Sequence, residues 1–378
     1  MSIIIVDDNA TNQLIIKTIL NKAGYQNLKM ASSAKELYRL LGIHSAMGKM
    51  TDVELILMDM MMPDIDGIAA CRVLQSDDRY RDIPIIFVTA VGDSNKMAEA
   101  LDAGASDYVM KPINRMELLA RIRSALRLKR EIDWHKERDR RMKNKLELAK
   151  QVQLSVLSKP IDDEHIRISA LYQPSSELAG DFYAWYRIDK NRYGVILLDM
   201  MGHGISSSLV CMYISSVLRD TITRISDMEQ VMHELNRYMN QLHMKDELIH
   251  YYFTAIYLVL DTEEKSIEYV NAGHPPGFVY ADGQVVPLEP CCSAIGLFDT
   301  LKVQKGKLYY ENGAAIALYT DGLTDCLSGE EEIETELLVE LLRNDDGLEP
   351  EELVQDIIPV RASQAQKDDI CLVTLHTK

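Results

Sequence analysis

The stretch LILMDMMMPDIDG, residues 55–67, places four apolar residues in a row without alternation, then the acid Asp59, then a turn punctuated by Pro63 and Gly67. A short unbroken apolar run is the pattern of a strand buried on both faces of a parallel sheet, and Asp59 falls where that strand ends. Upstream, SIIIV at 2–6 repeats the pattern and runs into Asp7 and Asp8. Downstream, IIFV at 85–88 is followed by Thr89, and DYVM at 107–110 by Lys111 and Pro112. Amphipathic stretches at 14–23, 35–41, 68–74, 97–103 and 116–128 separate these runs, so residues 1–120 are predicted to form an α/β unit of (βα)5 type.

In an open parallel sheet the carboxyl ends of the strands share one edge, and ligands bind there. Asp7, Asp8 and Asp59 therefore converge, and clustered carboxylates repel unless a divalent cation such as Mg²⁺ sits among them. Thr89 and Lys111 reach the same edge. A hydroxyl and an ammonium beside acids suit phosphoryl chemistry, with one carboxylate taking the group and the cations neutralising its oxygens. Each residue alone reads as a turn or helix cap; the conjunction points to a site. Through VDD at 6–8, LMDMMMPDIDG at 57–67, VTA at 88–90 and KP at 111–112, the segment resembles the response-regulator receiver domain of bacterial two-component signalling. The resemblance implies phosphorylation of Asp59 by a histidine kinase. Mg²⁺ would be held by Asp8, Asp59 and the Met61 carbonyl with help from Asp7, and Thr89 and Lys111 would grip the phosphoryl group. Tyr108 would change rotamer, and Lys111–Pro112 would be cis.

Residues 158–378 change character. Alternating segments at 166–171, 192–198, 252–260, 266–270, 277–280, 314–319 and 370–375 predict strands, and 206–225 and 228–243 predict long helices, together an α+β layered sandwich. Acids again fall at strand ends or tight glycine turns: Asp181 in SSELAGDFY, Asp199 in LLDMMGHG, Asp321 in ALYTDG, and the pair Asp368/Asp369 in KDDI. Four acids from distant segments, without a His/Cys cluster of zinc spacing, favour Mg²⁺ or Mn²⁺. Two such ions activate a water for attack on phosphorus, which predicts phosphomonoester hydrolysis without a covalent intermediate.

AGD at 179–181, DMMGHG at 199–204, NAGHPP at 271–276, YTDG at 319–322 and DDI at 368–370 resemble the PPM-type metal-dependent serine/threonine phosphatases, in the bacterial branch of SpoIIE and RsbU. The resemblance implies an α-β-β-α sandwich in which Asp199 bridges two Mn²⁺ or Mg²⁺ ions and the Met200 carbonyl adds a ligand. Asp181 and Asp321 would bind directly or through water, and Asp368 would complete the site with Asp369 beside it as a further metal residue. His203 is open between a general acid and a turn residue, and His274 is expected to shape its loop. Ala179 and Met200-Met201 depart from the branch pattern while leaving the carboxylates intact.

Between the two halves, residues 121–145 hold eleven Lys/Arg against four acids, a local +7 in a chain of net charge −17. Glycine is absent from 121–157, and apolar residues recur at threes, fours and sevens, interrupted at Lys129, His135, Asp139 and Gln153, which predicts a connecting helix with a coiled-coil seam. Its charge reads as a solvated face or a nucleic-acid contact, and the lack of interleaved aromatics beyond Trp134 disfavours the second. LAKQVQLSVL at 148–157 matches the lead-in helix of the phosphatase branch. Leu146, Ala149, Val152 and Val156 would line a homodimer seam or pack onto their own domain.

With 378 residues, 47% hydrophobic and 26% charged, the chain is long enough for two or three domains and neither disordered nor fibrous. The partition expected is a receiver at 1–120, a helical linker at 121–157 and a phosphatase at 158–378. The acidity argues against nucleic acid, and a DNA-binding response regulator lacks its helix-turn-helix. No stretch is apolar enough to span a membrane, no signal peptide is expected, and six scattered cysteines read as reduced, cytoplasmic thiols. The expected function is a protein serine phosphatase under receiver control. Its expected partners are a histidine kinase and a phosphorylated STAS-domain anti-anti-sigma factor, whose dephosphorylation releases an alternative stress sigma factor. The rival is a non-catalytic adaptor that binds a sigma-factor regulator; loss of the acids would mark it, and all are present.

Overall fold

The computed structural model describes residues 2–43, 52–90, 92, 94–202, 204–225, 227–242, 251–327, 342, 366 and 368–378. The chain divides into two compact units, Met1–Met142 and Lys143–Lys378.

In the first unit, β1 (Ser2–Val6), α1 (Ala10–Lys22), β2 (Leu28–Ala31), α2 (Ala34–Leu41), β3 (Val53–Met58), α3 (Gly67–Gln75), β4 (Ile85–Thr89), α4 (Ser94–Asp102) and β5 (Asp107–Met110) alternate strictly. The helix α5 (Arg115–Val156) follows. The strands pair in parallel in the order β2-β1-β3-β4-β5. Every residue of β1 and β4 is buried, because helices cover both faces of the sheet. One face buries Ile4, Val6, Ile56, Met58 and Phe87, and the other Ile3, Ile5, Leu55, Leu57, Ile86 and Val88. β2 carries no unbroken apolar run in the sequence because it is an edge strand whose first three residues are only half-buried.

α5 begins upstream of the expected residue 121 because Asn114 caps it, its Oδ1 accepting the N–H groups of Met116 (2.9 Å) and Glu117 (3.3 Å). Its basic middle is exposed and paired locally, with Glu137 taking both Arg140 and Arg141. A solvated face accounts for this charge.

The second unit holds β6 (Ile161–Asp162), β7 (Ile166–Gln173), β8 (Phe182–Arg187), β9 (Arg192–Met200), α6 (Ile205–Arg224), α7 (Met228–Gln241), β10 (Phe253–Asp261), β11 (Ser266–Ala272), β12 (Gly277–Ala281), β13 (Gln284–Leu288), β14 (Gly306–Tyr309), β15 (Ala314–Tyr319), α8 (Asp321–Leu327) and β16 (Ile370–Thr377). They form two antiparallel sheets, ordered β14-β11-β10-β9-β8 and β13-β12-β15-β16-β7-β6. α6 and α7 pack on the first sheet, and α8 lies beside β16 on the outside of the second. The layers are thus α-β-β-α.

The period of two along each strand sorts its side chains between layers. In β9, Ile196, Leu198 and Met200 face the helices, whereas Tyr193, Val195 and Leu197 enter the core between the sheets. In β16, Cys371, Val373 and Leu375 face that inter-sheet core, and Ile370 and Leu372 the outer layer.

Candidate functional site

The parallel sheet of the first unit brings Asp7, Asp8, Asp59, Thr89 and Lys111 to one edge, as their strand-end positions predict. Lys111 Nζ donates to Asp7 Oδ2 (2.9 Å) and Asp59 Oδ2 (2.7 Å), bridging two buried carboxylates. The ligand atoms of Asp7, Asp8 and Asp59 lie within 4.8 Å of one another, and Asp8 is exposed. Asp7 Oδ1 accepts from Asn9 N–H (2.9 Å) and Asn12 Nδ2 (3.1 Å), and Asp59 Oδ1 from Met61 N–H (3.3 Å). Burial raises the Asp59 carboxyl above the ordinary range, and Asp7 adds to this, against the pull of Lys111. Burial works against the Lys111 ammonium too, but its two carboxylate partners win and hold it above its usual range.

Gly67 lets α3 start against this edge, since a Cβ there would lie 2.3 Å from the Asp59 carbonyl oxygen. Lys111–Pro112 is cis, as the resemblance implies, and Thr89 is fully buried. Tyr108 is half-buried with the Arg121 guanidinium 5.6 Å above its ring.

In the second unit the acids extend the register of the inter-sheet core beyond its apolar end. Asp181 immediately precedes β8, Asp199 is the penultimate residue of β9, Asp321 opens α8 after β15, and Asp368 and Asp369 precede β16. Asp181 and Asp199 fall on the same side of their strands as Tyr183 and Leu197, which line the inter-sheet core. The antiparallel pairing of β8 with β9 brings Asp181 beside Asp199 and that of β15 with β16 brings Asp321 beside Asp368 and Asp369, and the two sets are close enough to act on one another's charge.

The acids press on one another. Burial pushes the Asp181 carboxyl well above its normal range, with Asp199 adding to it and a Thr320 hydrogen bond opposing. Asp199 is pushed up to about 7, first by burial and then by Asp321, Asp368 and Asp369. Asp321, exposed at the helix start, is raised by partial desolvation and by Asp368. Asp181 Oδ2 is buried without a hydrogen-bond partner. Among the described residues no Lys or Arg forms an ion pair with Asp181, Asp199, Asp321 or Asp368. A buried, unpartnered carboxylate oxygen beside other acids fits a bound cation, and all-oxygen donors fit Mg²⁺ or Mn²⁺.

Two glycines bring the acid-bearing turns together. A Cβ on Gly180 would stand 3.1 Å from the Gly202 carbonyl oxygen and 3.3 Å from that of Met200, and one on Gly322 would lie 2.0 Å from the Asp369 carbonyl oxygen.

Three expectations need revision or fall outside the described residues. Asp369 is committed to hydrogen bonding: Oδ1 accepts from Ser175 N–H (2.7 Å) and Oγ (2.9 Å), and Oδ2 from Gly180 N–H (2.7 Å). It holds the loop that carries Asp181 rather than offering a free ligand oxygen. Gln153, which interrupts the expected seam, is buried, whereas the seam residues Val152 and Val156 are exposed and Leu146 and Ala149 half-buried. Its amide binds both backbone polar groups of Ala179. His203 lies outside the described residues.

His274 is fully buried. Its Nδ1 meets Thr254 Oγ1 (2.8 Å), and its backbone N–H donates to Asn271 Oδ1 (2.8 Å), so it ties the NAGHPP turn to β10. Thr254 pairs across the sheet with Asp199. Cys71, Cys211, Cys291, Cys292 and Cys371 are free thiols, and no helix among the described residues is long and apolar enough to cross a membrane.

Comparison with known proteins agrees with this architecture. A family model described as Stage II sporulation protein E (SpoIIE) matches residues 189–378, and one described as Response regulator receiver domain matches residues 3–123. The chain is 42% identical over 184 residues to Phosphoserine phosphatase RsbP of Bacillus subtilis (strain 168), covering 48% of this chain and 46% of that protein. It is 38% identical over 126 residues to the Transcriptional regulatory protein YvrH of the same organism, covering 33% of this chain and 49% of that protein. The chain thus spans about half the length of these curated relatives. The SiaA-PP2C domain of Pseudomonas aeruginosa shares the fold, with a TM-score of 0.54 at 20% identity over 62% of this chain and 97% of that one. With a receiver domain at its N-terminus and half its length matched by the sporulation-protein model, the chain belongs to the SpoIIE family.

Proposed function

We propose that the chain is a response-regulator protein serine phosphatase, in which phosphorylation of Asp59 by a histidine kinase controls metal-dependent dephosphorylation of a phosphoserine or phosphothreonine. The observation that carries the reading is the acid site itself: Asp181, Asp199, Asp321 and Asp368 at one edge of the sandwich, with no Lys or Arg ion-paired to them among the described residues and with Asp181 Oδ2 unpartnered. Asp181, Asp199, the Met200 carbonyl, Asp321 and Asp368 would hold two Mn²⁺ or Mg²⁺ ions, which supply an activated water and neutralise phosphate oxygens. Asp369 and the glycine contacts keep the acid-bearing turns in place while the phosphoester is cleaved. The name of the relative RsbP, a phosphoserine phosphatase, supports this reaction class.

In the receiver, Asp59 would take the phosphoryl group, with Mg²⁺ held by Asp8, Asp59 and the Met61 carbonyl beside Asp7. Lys111 and Thr89 are at hand for the new phosphate oxygens, and Tyr108 would respond by changing rotamer. The substrate proposed is a STAS-type anti-anti-sigma protein in the cytoplasm, and the output is release of an alternative sigma factor. Leu148, Val152 and Val156 are exposed on one stripe of α5 at four-residue spacing, which supports a homodimer through that helix. The domains proposed remain a receiver at 1–120, a linker at 121–157 and a phosphatase at 158–378.

Hydrolysis of a phosphoserine substrate with Mn²⁺ tests the site. Turnover is expected to fall more than about 100-fold in Asp199→Asn and in Asp321→Asn, beyond what a residue outside the ligand set costs; unchanged turnover in both overturns the metal mechanism. A small phosphoryl donor should change the turnover of the wild type and leave Asp59→Asn unaffected. An equal response in both rejects Asp59 as acceptor.

A further inference from the structure

We infer that Gln153 is a positioning residue for the acid site, fixing from helix α5 the loop that presents Asp181. The inference rests on the reading of Asp181 as a metal-site acid. Gln153 Nε2 donates to the Ala179 carbonyl oxygen (2.8 Å), and Ala179 N–H donates to Gln153 Oε1 (3.2 Å). The carboxamide thus satisfies both polar backbone groups of a residue that is itself fully buried. Gln153 is 2% exposed, while its neighbours Val152 and Leu154 are 51% and 43% exposed. A buried amide on an otherwise wet stretch of helix is explained by its partner and not by packing alone.

The tripeptide Ala179-Gly180-Asp181 is held at four points. Besides the two bonds to Gln153, Gly180 N–H donates to Asp369 Oδ2 (2.7 Å), and the Asp181 carbonyl accepts from Tyr172 Oη (3.1 Å) and Cys211 Sγ (3.8 Å). Tyr172 stands on β7, Cys211 on α6 and Asp369 before β16, all within the sandwich and its helices. Gln153 alone comes from α5. Replacing its carboxamide by an apolar group leaves a buried N–H and C=O without partners, so the loop must move to find them. A rotation of α5 by one residue, about 100°, would also remove the carboxamide from the loop. The presentation of Asp181 therefore depends on the rotational setting of α5, which neither Tyr172, Cys211 nor Asp369 can restore.

The test uses the full chain as wild type, Gln153→Met and Gln153→Glu, the last keeping length and the acceptor oxygen should the first fail to fold. Hydrogen exchange of the peptide covering 177–183 is measured without metal, and Mn²⁺ binding by calorimetry, with Asp199→Asn identifying the phosphatase-site component. In Gln153→Met, exchange of that peptide should rise about 10-fold or more, and Mn²⁺ affinity at the Asp199-dependent site should fall roughly 10- to 100-fold. Binding at the receiver stays as in the wild type. Wild-type exchange and affinity in the folded variants overturn the inference. Failure of the metal-site reading looks different: Asp199→Asn would then bind Mn²⁺ as the wild type does, whatever the exchange at 177–183.

Discussion

The chain contains two acid pockets at sheet edges, and they solve the same electrostatic problem in opposite ways. In the receiver, Lys111 supplies a positive charge between Asp7 and Asp59 at hydrogen-bonding distance from both. In the sandwich, Asp181, Asp199, Asp321 and Asp368 have no such partner among the described ion pairs, and Asp199 is pushed up to about 7. A pocket with its own ammonium can stand assembled and wait for a phosphoryl group. One without it is left repulsive until cations arrive from solution. The difference suits a switch in the first case and a metal-dependent catalyst in the second.

The sharpest way to break this contrast is to remove the internal cation. Lys111→Met strands two buried carboxylates and should cost the receiver about 3 kcal/mol in urea unfolding, partly recovered by Mg²⁺. No loss would mean that the ammonium does not hold the acids together. The opposite sign is expected on the other side. With chelator present, Asp199→Asn removes one of several like charges and should stabilise the second unit by about 1–2 kcal/mol, read as a higher melting temperature. A loss instead would show that the wild-type pocket is already neutralised from within.

A third effect, of similar size, isolates the scaffold from the acids. Burial pulls the His274 imidazole from 6.5 down to about 3, so it is neutral when folded and protonated in the acid-unfolded chain. A depressed folded value means stability is lost as pH falls from 6.5 towards 3. At pH 5 this group alone contributes a loss of about 2 kcal/mol relative to pH 7. His274→Asn, which keeps a polar atom near Thr254, should flatten that slope in denaturant titrations at the two pH values. An unchanged slope would place the acid sensitivity elsewhere.

Much of this is legible in the sequence, for a physical reason. Unbroken apolar runs ending in acids are what parallel strands with ligands at their carboxyl ends require, so Asp7, Asp59, Thr89 and Lys111 could be located by position alone. The acids of the sandwich were found the same way, from strand ends and tight glycine turns. What sequence could not resolve was which polar residue points inward. Asp369 looked like a ligand because it adjoins Asp368, yet the two alternate about the strand entering β16, and its oxygens are taken by Ser175 and Gly180. Gln153 looked like a flaw because apolar periodicity penalises a polar residue in a seam. The spacing of Ala149, Gln153 and Leu157, one face at four-residue steps, was the available signal. The strand β8 is hidden in the sequence because its aromatic run, FYAWYR, follows the AGD turn without a break.

The four-point hold on Ala179-Gly180-Asp181 has a consequence for modularity. A fragment cut at residue 158 would retain every acid and lose Gln153, and the region matched by the family model, 189–378, omits Asp181 as well. The smallest piece that keeps the acid site with its Asp181 loop held therefore includes the final turns of α5 as well as the sandwich. An ancestor that exchanged one N-terminal domain for another in front of such a sandwich would have had to splice upstream of Ala149 and preserve helical phase, or inherit an acid site with a loosened loop.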